Sequence, residues 1–416
     1  MGQQEITIID EPVDGFEIQD LFMSRTDHRG VILSGNDTFQ RLSGFDWPEL
    51  IGTPHRLIRH PEMPKAAFHL LWEALEKGEP FGAYVKNRAK DGRYYWVFAA
   101  AVPVEDGYLS VRLKPTSPIL ETVQGLYSDL LNAERNDALS PEQSAALAED
   151  RITGLGYRNY HAFMGYALGV EIAARCEALG TTVDPGIGEF EKIGQLLADL
   201  AEEVKGVQRL YATIGNSPAN LNILGSRLTS GREPIQVVAQ NYGVLSSELM
   251  GVISELDVSL EALLDKAYLG RAGHCASLLY SEAIEKYRTE EANRGTRGHT
   301  NELAILQRAL RGFLFAAQQG CDQIRHEVSQ FAKITARLKQ MLSGLALTRV
   351  ICRIESASVA EDTSSIDEIA NRLMTFQDEL GVALENMATM CSTMAGKIPG
   401  QKGAAVERKM PAKVES

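Results

Sequence analysis

A chain of 416 residues is too long for one ordinary hydrophobic core, so more than one domain is expected. With 44% hydrophobic and 23% charged residues it reads as a soluble globular protein, and its net charge of −13 argues against a nucleic-acid partner, since phosphate binding needs a basic face. The cysteines Cys176, Cys275, Cys321, Cys352 and Cys391 are scattered with no C-x-x-C pair, which points to buried free thiols in a reducing compartment rather than to a metal or redox motif.

The N-terminal stretch MGQQEITIIDEPVDG is acidic and lacks the basic and apolar regions of a secretory signal. No apolar run reaches the roughly 18–20 residues of a membrane span, so a cytoplasmic chain without membrane insertion is expected. LFMSRT (21–26) and VILSG (31–35) predict strands around the turn Asp27-His28-Arg29-Gly30. NDTFQRLSGF predicts a short helix opened by Asn36 as N-cap and closed by Gly44, and WPELIG predicts another. A longer amphipathic helix is predicted over 64–77. Three strands follow, broken by the hairpin signals Asp91-Gly92 and Asp106-Gly107. Two strands, several helices and three strands describe an α+β domain over 16–117: a five-stranded antiparallel sheet with flanking helices, placed on one face.

After Pro118 prolines thin out and the apolar period lengthens to three and four. Connecting helices are expected over 118–186 and a helical bundle or coiled coil over 187–396, with a disordered tail at 397–416. Ile193, Leu196, Leu197, Leu200, Val204, Val207, Tyr211 and Ile214 form one stripe. Val328, Phe331, Ile334, Leu338, Met341, Leu342 and Leu345 form another. Residues 222–245 also align with 349–373, so that Ile235-x-x-Val238-Ala239 meets Ile366-x-x-Ile369-Ala370, as a duplicated helical hairpin would require.

The stretch IRHPEMPKAAFHLLWEAL (58–75) carries more chemistry than a helix start needs. Pro64 suits the first turn, Glu62 favours the positive end of the helix dipole, and Ala67, Phe68, Leu71, Trp72 and Leu75 make a core-facing stripe. Arg59 and His60 are left over. Beside a helix N-terminus they form an anion- or carbonyl-accepting rim, and Trp72 can stack on a flat ring. No nucleophile, general base and oxyanion donor occur together, so catalysis is not expected.

Four collinear blocks, GNDTFQRLSGF, ELIGTPHRLIRHPEMPKAAFHLLW, KGEPFGAYVKNR and KDGRYYWVFAAAVPV, resemble the PAS domain of bacterial aerotaxis receptors, a sensory fold that holds FAD. The resemblance covers about 95 residues. It implies non-covalent FAD and assigns flavin-associated roles to Asn36, Arg59, His60, Phe68 and Trp72, with Glu62 where the family has Asp and Asn87 at a position implicated in signalling. Phe81 replaces a common Trp. Haem is the competing cofactor, since some PAS domains ligate it through a helical histidine, and His28, His55, His60 and His69 lie here.

Further on, SPANLNILGSRLTSGREPIQVVAQNYGVLSSEL (217–249) resembles a shortened chemoreceptor hairpin tip, with Asn220-x-x-Ile223-Leu224 and Gly231-Arg232 followed by Val237-Val238-Ala239. These resemblances imply a redox or oxygen sensor with a chemoreceptor-like helical output. Its partners would be a chemotaxis kinase, an adaptor or other motility proteins, and a second copy of the chain. The alternatives are a cofactor-free PAS docking module on a helical scaffold, and a haem-binding gas sensor.

Overall fold

The computed structural model describes residues 7–227, 232–294, 300–358 and 364–399. The chain forms two compact units. The first joins the residues up to Gly188 with Tyr268–Gly320, and the second joins Glu189–Ala267 with the segment from Cys321 onward. The stretch read from sequence as one bundle, 187–396, thus contributes an internal segment, Tyr268–Gly320, to the first unit.

The first unit is built on a five-stranded antiparallel sheet of β1 (Leu21–Thr26), β2 (Ile32–Gly35), β3 (Phe81–Arg88), β4 (Tyr94–Val104) and β5 (Gly107–Leu113), in the order β2-β1-β5-β4-β3. Both hairpin signals lie where they were read. At the second, Gly107 has φ +149°, and a Cβ there would lie 1.9 Å from the Thr26 carbonyl oxygen, so only glycine lets β5 start against β1. Between β2 and β3 come α1 (Asp37–Ser43), α2 (Trp47–Leu50), a 3-10 turn (His55–Ile58) and α3 (Lys65–Glu76). Asn36 caps α1, its side chain accepting from the Phe39 N–H, and Gly44 closes it in a left-handed conformation.

Sequence reading placed helices on one face of the sheet; in the first unit both faces are covered. On β5, Tyr108, Ser110 and Arg112 line the α3 side. The alternate residues Leu109, Val111 and Leu113 are buried with Leu21, Met23, Phe98 and Ala100 against other helices. These are α4 (Ile119–Asn136), α6 (Tyr160–Ala178) and the parts of α9 (Arg232–Arg294) and α10 (Thr300–Ser358) that belong to this unit, while α5 (Pro141–Gly154) packs on α3. Tyr280 of α9 is fully buried and donates its hydroxyl to the Ala100 carbonyl at 3.1 Å and toward that of Leu109 at 3.4 Å. Arg25 of β1 is clamped by Glu302 of α10, with Nε and Nη2 both donating to the carboxylate, while Nη1 pairs with Asp106.

A second clamp ties β3 to the helices. Glu171 of α6 is fully buried, yet its carboxylate accepts from the Tyr84 hydroxyl (2.7 Å), the Ser117 hydroxyl (2.6 Å) and the backbone N–H groups of Thr116 and Ser117 (2.7 and 3.0 Å). Four donors replace the water that a buried carboxylate loses. Burial, and then the same negative charge, push the Tyr84 phenol far above its ordinary range.

The second unit is helical. It is formed by α7 (Pro185–Ile214) from Glu189, α8 (Ser217–Arg227), α9 up to Ala267, α10 from Cys321 and α11 (Ser364–Lys397). Both predicted stripes are buried or half-buried in its core, where Leu200, Val204, Phe331, Leu338, Leu380 and Met387 meet. The aligned blocks 222–245 and 349–373 each straddle a helix junction, and Ile235, Val238 and Ala239 are buried as Ile366, Ile369 and Ala370 are. Of the tail read as disordered, 397–416, Lys397 ends α11 and Ile398 is buried, while residues from 400 on lie outside the described residues. All five cysteines are free, and burial pushes the Cys275 thiol up to about 12. Among the described residues no helix is long and apolar enough to cross a membrane.

The clamp at Glu171 is testable. Glu171→Ala strands two hydroxyls and two N–H groups in the core and is expected to destabilise the first unit by about 3–5 kcal/mol. Urea unfolding followed by fluorescence of its tryptophans (Trp47, Trp72, Trp96) checks this.

Candidate functional site: a cavity between the long helix and the sheet

A cavity of about 650 Å³ lies between α3 and the sheet, within the 300–1,000 Å³ range typical of small-molecule sites. One wall is the α3 stripe, Ala67, Phe68, Leu71, Trp72 and Leu75. The facing wall is the sheet, where strand alternation presents Ser24, Ala99, Ala101, Tyr108, Ser110 and Arg112 to the same side. Trp72 packs edge-on to Tyr108 with ring centroids 5.5 Å apart. Its other neighbour is Gly30, whose φ of +75° favours glycine and where a Cβ would lie a tight 3.2 Å from Trp72 Cη2. The cleft is therefore open, and the indole forms part of its wall.

The polar groups in this apolar cleft are few. Asn87 is 1% exposed and Ser110 7% exposed; both line the cavity, and among the described residues neither Asn87 Nδ2 nor Ser110 Oγ has a hydrogen-bond partner. Buried donors left this way are costly unless a ligand answers them. Arg112 is 7% exposed. Its Nη1 donates to Ser24 Oγ at 2.7 Å, its Nη2 lies 3.0 Å from His55 Nε2, and its guanidinium sits 4.6 Å from the centre of the Phe22 ring. Since a guanidinium only donates, His55 Nε2 must accept, which leaves that ring neutral with its proton on Nδ1. Burial, then the positive charges of Arg112 and Arg59, hold His55 well below its ordinary value. Burial also draws Arg112 down to about 10. At the mouth, Arg29, Arg56 and Arg59 are exposed.

Of the residues singled out by sequence, four line this cavity: Arg59, Phe68, Trp72 and Asn87. The Arg59 guanidinium lies flat on Phe68, 3.3 Å from the ring centre. Three are placed elsewhere. Asn36 accepts from the N–H groups of Met23 and Phe39 and donates to the Leu21 carbonyl at 2.8 Å and to Glu290 of α9 at 3.3 Å, so its amide serves the fold. His60 is 1% exposed, accepts at Nδ1 from the Glu62 N–H, and sits edge-on to Tyr94 outside the cavity. Glu62 pairs with Lys86 at 2.6 Å, which holds its carboxyl below the usual range.

The segment 58–65 earns its composition in another way. Residues 59 and 60 run along the outer edge of β3, bridging to Asn87 and Lys86, and so cover an otherwise open strand edge. The anion-accepting rim expected at the start of α3 is already occupied: the Lys65 N–H donates to Glu134 of α4 at 2.7 Å. Sequence reasoning named His55 only among four histidines weighed for haem, and missed Ser24, Tyr108, Ser110 and Arg112. The alternation of GYLSVRL was the available signal, since it sets these three β5 residues on one face.

Residues 32–110 match the family model for the PAS fold, and the first unit carries a PAS domain. Over 118 residues the chain is 48% identical to the aerotaxis receptor of Escherichia coli (strain K12), a match covering 27% of this chain and 23% of that protein. It is 33% identical over 82 residues to the biofilm dispersion protein BdlA of Pseudomonas aeruginosa, covering 20% of each. A solved PAS domain of a protein from Colwellia psychrerythraea shares 23% identity, covering 23% of this chain and 86% of that one with a TM-score of 0.20. The chain thus spans less than a quarter of the length of these curated relatives.

The neutral state of His55 has a pH consequence. A ring that stays neutral in the fold but protonates in the unfolded chain takes up a proton on unfolding below its ordinary value of about 6.5, so stability is lost as pH falls through that value and is unaffected above it. In an NMR titration from pH 7.5 to 5.5 the His55 Cε1–H resonance is expected not to move. His60, lowered by burial and by Lys86, should lag as well.

Proposed function

We propose that this chain senses redox or oxygen state with FAD held non-covalently in the cavity under α3. Its helical half is then a chemoreceptor-like output module of a cytoplasmic aerotaxis- or chemotaxis-type system. The observation that carries the reading is the open cleft itself, flanked by Trp72 and Tyr108 and carrying the unanswered polar groups of Asn87 and Ser110. The 48% identity to an aerotaxis receptor over this region supports it.

The residues present suit a flavin. Trp72, Tyr108 and Phe68 provide apolar walls for a flat ring, and Asn87, Ser110 and Arg112 provide donors for a polar ring edge. Arg29, Arg56 and Arg59 at the mouth match a diphosphate tail. When bound, the flavin supplies a change of charge and hydrogen bonding on reduction. Haem is less well served. Of the histidines, His55 alone lines the cavity among the described residues, and its Nε2 is taken by Arg112.

The chain's part is to convert a polar change in the cavity into a change in packing. β5 is suited to this, because the residues next to the cavity-lining Tyr108, Ser110 and Arg112 are those against which Tyr280 of α9 is seated. The partners are then proteins, a chemotaxis kinase or adaptor, with a second copy of this chain completing the signalling unit. Redox-dependent bias of one packing over another is all that such a sensor needs.

The visible spectrum of the purified chain decides the cofactor: flavin bands support the reading, a Soret band replaces it with haem, and a colourless chain that takes up neither leaves the cofactor-free scaffold. Trp72→Ala is expected to weaken FAD binding at least tenfold, about 1.4 kcal/mol. Arg59→Ala, at an exposed mouth position, should cost less. Isothermal titration of the apoprotein measures both.

The tip reading needs a surface residue. Val238 is buried, so a charge there disrupts the bundle, whereas Val237 is 54% exposed. Val237→Glu is expected to lower capture of a chemotaxis kinase with helicity unchanged by circular dichroism; unchanged capture removes the tip from consideration.

A further inference from the structure

Arg112 poses a charge problem that the fold does not solve. The residue is 7% exposed, its polar partners are a hydroxyl and a neutral imidazole, and no carboxylate pairs with it among the described residues. Three other buried cations of the same unit have carboxylate partners, Arg25 with Glu302 and Asp106, Arg175 with Glu282, and Lys86 with Glu62, whereas Arg271 rests on the Tyr166 ring, 4.6 Å from its centre. A buried charge without its counter-ion is strongly destabilising unless something compensates it.

The geometry shows where the compensation would come from. Ser24 holds one arm of the guanidinium and His55 the other, and all three residues line the cavity. Phe22 closes the far side at 4.6 Å. The side chain is thus gripped by β1 and the 3-10 turn beside the cleft. A positive charge fixed in a poorly solvated site acts with little screening on whatever lies next to it.

We propose that Arg112 is the charge-reading residue of this cavity: it favours the reduced, negatively charged form of the bound ring over the oxidised, neutral form, and thereby sets the potential at which the sensor switches. This rests on the flavin reading above. In the step concerned the oxidised ring gains two electrons from a low-potential donor (dithionite in the experiment) and one proton from solvent, which leaves one negative charge on the ring. Arg112 supplies the counter-ion and transfers nothing. His55 and Ser24 are positioning residues that keep the guanidinium in place.

The test uses the full chain reconstituted with FAD. Its midpoint potential is read by spectroelectrochemistry against a reference dye, for wild type, Arg112→Met, Arg112→Gln and Arg112→Lys, with the affinity for oxidised FAD measured in parallel. Both neutral variants are expected to weaken oxidised FAD less than reduced FAD, because the oxidised ring loses a donor but no counter-ion. Their preference for reduced over oxidised ring is expected to fall at least tenfold, a drop of about 30 mV for a two-electron couple. Arg112→Lys, which keeps the charge, should hold the potential close to wild type. Either neutral variant with FAD bound and an unmoved potential overturns the proposal, as does a Lys variant that falls as far as Met. Failure of the wild-type chain to take up FAD removes the flavin reading and this inference together, and is recognised before any variant is made.

Discussion

The strict alternation of β5 is the constraint on which the rest of this structure depends. The strand has no solvent face: Leu109, Val111 and Leu113 are sealed under helices, while Tyr108, Ser110 and Arg112 form the floor of a cavity. A strand covered on both sides usually reads as a continuous apolar run. GYLSVRL does not, and its polar half persists because it meets a site. A one-residue slip in register would exchange the two faces, burying Arg112 in the helix core and turning Val111 to the cleft. The pairing of β5 with both β1 and β4, seven residues deep against β4, resists that slip.

A cavity with a coupled rear face follows from this arrangement. Tyr280 reads the position of two strands through their carbonyls, Glu302 holds Arg25, and Glu290 reaches Asn36 at the start of α1. Each contact joins the PAS sheet or its first helix to α9 or α10, the two helices whose sequences continue into the second unit. Small changes in a packed core favour one discrete arrangement over another rather than bending smoothly, and this is the physical basis on which a binding event at the sheet would be felt in helices.

Much of the fold was legible locally. Both strand pairs, the Asn36 cap, the Gly44 stop, the two hairpin turns and the heptad-like stripes of the bundle depend on neighbours within a few residues. Less of the site was. Phe68 and Trp72 lie on one helix stripe and reach the cavity together, as their spacing implies. Asn36 and Glu62 carry the right functional groups, but each finds its partner within the protein, a carbonyl and a distant acid for Asn36 and Lys86 for Glu62; His60 accepts a backbone N–H at Nδ1, and its Nε2, without a hydrogen-bond partner among the described residues, lies outside the cavity. The helix dipole of α3, read as a receptor for an anion, is met by Glu134, an acid 69 residues on.

By itself the sequence determined the periods: two in the strands, three and four in the helices, and the glycines at the turns where L side chains do not fit. Those features arise from backbone sterics and side-chain spacing, which act along a few residues of chain. Only the tertiary structure decided which polar groups remain free to meet a ligand, because that depends on partners brought from far away. Arg112 became a buried cation of the cavity without a counter-ion when Ser24 and His55, 88 and 57 residues away, arrived to hold it and, among the described residues, no acid did. A hydrogen bond or a missing counter-ion is a property of the packed chain, and no local pattern carries it.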